Sequence, residues 1–422
     1  MNFQAQRPAI DESLSFLGIS GDELGLLPGK RDVQLARAKL VQDLHSRGLP
    51  TRRLEFWHYT DLRARLKVPS RSLSTADAGD LAPLIPGSIV LRVNDTSCDK
   101  RAGIEGISVR NYRDALEDGS AAAGLVARDA NDAIGRINGA LVDGGVKVEV
   151  AAGVRLELPI ELQMHGSRHS RFTVAVQAGA RGTVIERHAG RDDAQGRFVT
   201  AVSELHVEKG ADVTWIIIGQ QSASDTYLGQ LSFVLEQEAK LRLLVLNTGG
   251  KLVRQELHGR QSGEAAQLTL NGINLLEGTG HTDLTMMLEH EAVGATSAVV
   301  VRNVVFDQAS GVFQGGIKVG PGAQQTDARM ACNTLLLSDD GEFSAKPELE
   351  IFADDVQCGH GATVADLDDT QVYYLMARGI PKTRARSLLI NGFLGEFLLP
   401  VENDRIAAAL EQIIAAWLEA RG

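Results

Sequence analysis

From residue 146 to about residue 351 the chain is written in short, β-branched apolar runs: VKVEV, RFTVAV, DVTWIII, LRLLVL, AQLTL and SAVVV. Runs of this length between turn signals predict strands. A small-residue turn recurs between them, near Gly153, Gly179, Gly210, Glu238, Glu264, Gly294 and Gly322, at intervals of 26, 31, 28, 26, 30 and 28 residues. Such a period predicts a solenoid, in which each coil buries its apolar face by stacking on its neighbours. We read a parallel β-helix. A β-sandwich also has many short strands, but its turns come about every 8–12 residues and show no longer period.

The flanks carry a different pattern. Residues 31–50 place Val33, Ala36, Leu40, Val41 and Leu44 at helical spacing before Gly48 and Pro50. Residues 87–93 (GSIVLRV) read as a strand, and residues 127–145 as a helix stopped by paired glycines. After Ala365 a helix is expected from an Asp/Thr cap to Gly379, then a second following Pro381. The last helix puts Ile406, Ala409, Leu410, Ile413, Ile414, Trp417 and Leu418 on one stripe, which must be covered by the end of the solenoid, by a partner, or by both. The expected division is 1–145 mainly helical, 146–366 β-helix and 367–422 helical.

Composition narrows the function. A net charge of −11 and a pI near 5.5 argue against nucleic acid and anionic membrane as general partners, and point to proteins. The N-terminus has no basic segment followed by an apolar run, and no stretch of eighteen apolar residues occurs, so a soluble cytoplasmic protein is expected. Three cysteines are too few for a disulfide framework. The interleaved aromatics and arginines of TRRLEFWHYTDLRARL are read as packing and capping groups rather than a nucleic-acid surface. There is no P-loop, dinucleotide glycine fingerprint, G-x-S-x-G elbow or H-E-x-x-H. His165 and His169 sit among strands and read as surface residues, and Cys98 and Cys332 as small buried apolar groups. Asp354 and Asp355 could serve a carbohydrate-active β-helix enzyme, but two of the three tryptophans lie outside the solenoid, where they cannot form a sugar platform.

The strongest chemical signal is Cys358-x-His360. Residues two apart on a strand share a face, so thiolate and imidazole stand side by side as half of a soft-metal site, with further ligands required from elsewhere.

The segment that holds the pair, KPELEIFADDVQCGHGATVADLDDTQVYYLMARGIP, resembles the SufB/SufD family of iron–sulfur cluster assembly proteins, as do NTLLLSDD before it, LLINGFLGEFL after it and RRLEFWHYTDLR near residue 52. Length, few cysteines and the Cys-x-His-Gly-Ala-Thr run are similar to the SufD branch. Gly359 departs from the serine frequent in the family, on the face opposite Cys358 and His360. The resemblance implies a right-handed parallel β-helix between helical domains, pairing with SufB through the β-helix, and docking of the ABC-type ATPase SufC on the C-terminal helices. It further implies His360, with Cys358, as ligands of a transient iron–sulfur cluster shared with SufB, and a non-catalytic scaffold role. Without SufB, the same surface could accept a second copy of this chain. No residues are assigned to flavin. A purely structural paralogue without cluster ligands is the alternative.

Overall fold

The computed structural model describes Leu14, Leu17 and residues 19–66, 81–93, 105–164, 169–190, 196–398 and 401–421. Two nine-stranded sheets run the length of the solenoid. The first begins at Ile89–Arg92 and ends at Gln357–Ala365; the second begins at Ile107–Asn111 and ends at Glu342–Ile351. Neighbouring strands are parallel except for Ile107–Asn111 against Gly144–Val150. The parallel β-helix expected from the repeat is therefore present, and 87–93 contributes its first strand.

One position in each coil organises the stack. Gly153, Gly179, Gly210, Glu238, Ala265, Gly294 and Gln325 all adopt positive φ, between 54° and 70°. Each donates its N–H to the carbonyl that precedes the same position in the next coil: Gly179 to Lys209 at 2.9 Å, Glu238 to Glu264 at 2.8 Å, Ala265 to Val293 at 3.0 Å and Gln325 to Asp355 at 2.6 Å. The turn markers expected at Glu264 and Gly322 thus move to Ala265 and Gln325. The ladder is set by a left-handed residue with a free N–H, and small side chains only accompany it.

Alternate side chains fill the interior. Leu241, Leu243 and Val245 from the first sheet meet Leu231, Phe233 and Leu235 from the second in one buried cluster. The other faces are also covered, which is why the strands read as almost continuous apolar runs. Helix Asp404–Glu419 lays Ile406, Leu410, Ile414, Trp417 and Leu418 on the outer face of the first sheet, against Ile216, Ile218, Leu244, Leu246 and Ile273. It covers a flank of the solenoid and leaves the end at Gln357–Ala365 open. On the second sheet, helices Arg31–Arg47 and Ala133–Leu141 pack with Phe198, Val202, Leu228 and Leu252. The latter helix is shorter than the expected 127–145 because Asp132 caps it through the Gly135 N–H, 2.8 Å away.

The aromatic and arginine segment is a strap across the second sheet. Trp57 is buried with the Arg254 guanidinium 3.8 Å from its ring centroid. Arg254 donates to the Phe56 carbonyl at 2.6 Å, and Asp61 caps the short helix Leu62–Arg65. Packing and capping are its roles, as read from sequence. His169 is a correction. It is buried, not a surface residue, because its outward face lies beneath the N-terminal helices, where Nδ1 is 3.0 Å from the Thr200 hydroxyl and the ring meets Phe198 edge-on. His165 and Cys98 lie outside the described residues. Cys332 is fully buried, as expected, and burial pushes its thiol up to about 12.

Candidate metal site at the open end

Strand Gln357–Ala365 is hydrogen-bonded on one side only, to Asp327–Leu336. Its register places Cys358 beside Ala328, His360 beside Met330 and Ala362 beside Cys332. Those three neighbours belong to the buried interior, so Cys358 and His360 continue the interior row into its uncovered last layer. Cys358 is half-buried against the core, whereas His360 is exposed. An apolar groove of about 640 Å³ lies alongside, lined by Val299, Met330, Cys358 and His360. A Cβ on Gly359 would meet nothing within 4 Å, so the absence of serine there leaves no packing defect.

Burial raises the Cys358 thiol above its ordinary range; a hydrogen bond from the Ala328 backbone opposes the rise and the Asp327 carboxylate adds to it. The free thiol therefore stays protonated near neutrality, and a bound metal would have to displace the proton. Among the described residues no group of three or more His, Cys, Asp or Glu is placed to hold a metal ion. Cys358 and His360 are two donors at a mouth that another chain could complete. Asp354 and Asp355 are exposed in the last turn, where the Asp355 carbonyl accepts the final rung of the ladder.

The second sheet ends in the same way. Strand Glu342–Ile351 pairs only with Ser310–Val319, and Ile351, Phe352 and Val364 are large apolar side chains left exposed around the two free edges. Free edges of this length invite pairing. Just beyond, helices Asp369–Ala377 and Lys382–Gly395 expose Tyr373, Tyr374, Met376 and Leu388.

The family profile for "SUF system FeS cluster assembly, SufBD core domain" matches residues 161–393, more than half of the chain. The chain belongs to the SufBD family. It is similar to the iron–sulfur cluster assembly protein SufD of Escherichia coli, 28% identical over 396 residues that cover 89% of this chain and 90% of that protein. A SufBD family protein of Synechocystis is 30% identical over 68% of this chain and 66% of its own length, and SufD of Bacillus subtilis is 27% identical over 63% of each. SufBD membership agrees with the resemblance carried by the Cys358 segment, and the long match to a SufD agrees with the branch read from it. Among the described residues no helix is long and apolar enough to cross a membrane.

Proposed function

We propose that this SufBD chain is the non-catalytic scaffold subunit of a complex with SufB and SufC. SufB pairs with the open end of the solenoid, SufC docks on the C-terminal helices and supplies ATP hydrolysis, and Cys358 and His360 are ligands to a nascent cluster completed by SufB. One observation carries this reading: the only Cys-x-His pair of the chain faces along the interior row at an end whose two strand edges have no partner among the described residues. Imidazole suits such a transient site because it holds iron without adding negative charge.

The test is anaerobic reconstitution of the complex with wild-type chain, Cys358→Ala or His360→Ala, followed by visible absorption and iron and sulfide counts. Replacing exposed His360 leaves the core intact, so the complex is expected to form and to lose most of its cluster. Full cluster in both variants would leave the chain as a structural subunit only.

A further inference from the structure

Arg171 is a buried cation that makes no ion pair among the described residues. It stands on strand His169–Val176, on the face covered by the N-terminal helices, and is only 2% exposed. One guanidinium nitrogen donates to the Gly124 carbonyl, and Nε has no partner. No carboxylate of the described residues lies within ion-pairing distance. The nearby cation Arg37 repels Arg171, and the Asp143 carboxylate close by acts on Arg37 more strongly than Arg171 does. The two terminal nitrogens of Arg37 donate to the carbonyls of Ala140 at 2.9 Å and Val142 at 2.5 Å, while its Nε, like that of Arg171, has no partner. A buried guanidinium cannot shed its proton, and leaving its charge unanswered is costly.

Arg171 does border open space. A cavity of about 640 Å³ lies between the outer face of the second sheet and residues 124–132, with Phe56, Val202 and Met287 forming apolar walls and Arg128 lining it with Arg171. Five acids line it: Glu204 and Glu350 are exposed, Glu289 is half-buried, and the other two are already committed. Asp132 accepts from the backbone N–H groups of Gly135 and Arg128 at 2.8 and 2.7 Å and from Gln230 Nε2 at 2.8 Å. Asp129 accepts from the Asn131 N–H at 2.6 Å and from Arg128 Nε at 3.0 Å. Neither turns to Arg171.

We infer that this cavity binds an organic anion, whose phosphate or carboxylate group is the counter-ion of Arg171 and whose body lies along the apolar wall. Guanidinium groups recognise both anions with paired N–H donors, so phosphate and carboxylate are the two sources to separate. The site stands apart from the open end and does not rest on the cluster-ligand reading.

Thermal unfolding and calorimetric titration of the full chain, with inorganic phosphate or citrate against chloride at matched ionic strength, test it. Wild type is expected to bind one of the two probes and to melt higher in its presence. Arg171→Gln is expected to weaken binding at least tenfold, yet to melt no lower than wild type in chloride, because it removes an unanswered charge. A response to phosphate alone assigns a phosphate ligand, and to citrate alone a carboxylate. Indifference of wild type to both probes, or an unchanged response in Arg171→Gln, would overturn the site. Should that variant fail to fold, Arg128→Gln, at a more exposed position, is expected to lower the affinity several-fold; unchanged affinity there would overturn it equally.

Discussion

His281 shows how a single residue ties the N-terminal strap to the solenoid. Thr60 spends its hydroxyl proton on Asp283, so His281 Nε2–H, 2.8 Å away, must donate to the Thr60 oxygen, and Nδ1 accepts from the Ser310 hydroxyl at 2.7 Å. The ring is thereby neutral. Burial, then the charges of Arg65, Arg254 and Arg52, lower its pKa to about 3. A group depressed in the folded state binds fewer protons than in the unfolded chain, so stability is full above the unfolded value near 6.5 and falls as the pH drops towards 3. Glu256, held at about 2 against burial by Arg254 and His258, adds an acid loss in the same direction at lower pH. His281→Gln, which can keep hydrogen bonds without titrating, is expected to flatten the denaturation midpoint between pH 6.5 and 4. An unchanged pH profile would show that His281 does not govern this window.

At the scale of elements, the turn ladder makes a separate demand. Glu238, Ala265 and Gln325 occupy left-handed backbone at φ 56°, 54° and 60°, where a Cβ costs about 1–2 kcal/mol. Ala265→Gly relieves that strain but loosens the unfolded chain by about 0.4–1 kcal/mol, so a net gain in stability of up to about 1.6 kcal/mol is expected, read as a rise in the denaturation midpoint. A loss of stability would mean that the methyl group packs favourably. This mixture of residues also explains what was readable. The period of the coils was visible because glycine marks four of the seven turns, but Ala265 and Gln325 carried no local mark, and their turns were placed at the nearby Glu264 and Gly322. Cys358 and His360 were legible because strand periodicity alone puts them on one face. Arg171 was not, since its surroundings come from Gly124 and Arg128, far along the chain. The same holds for His169 and for the strap, in which Phe56 and Arg254 meet across 198 residues.

For the whole molecule, the C-terminal helices divide into two kinds. Helix Asp404–Glu419 is part of the core, and its buried Ile406, Leu410, Ile414 and Leu418 contribute on the order of 10 kcal/mol at most. Removing residues 369–422 would therefore strip the first sheet as well as any docking surface. Tyr373 and Tyr374 offer a cleaner test because both are exposed on Asp369–Ala377. The double change Tyr373→Ser, Tyr374→Ser is expected to reduce co-purification of SufC at least tenfold with the melting temperature nearly unchanged. Undiminished co-purification would remove this face from the SufC contact.

A stack held by nearest neighbours also has a gradient of opening. An internal coil must break two interfaces to come loose, whereas Gln357–Ala365 must break one. Local unfolding is thus cheaper at the end coils, one of which carries Cys358 and His360, and slowest amide exchange belongs to the middle of the solenoid. The pair sits on a rung held from one side only, and a neighbour that adds a strand to its free edge would rigidify the very residues it reaches.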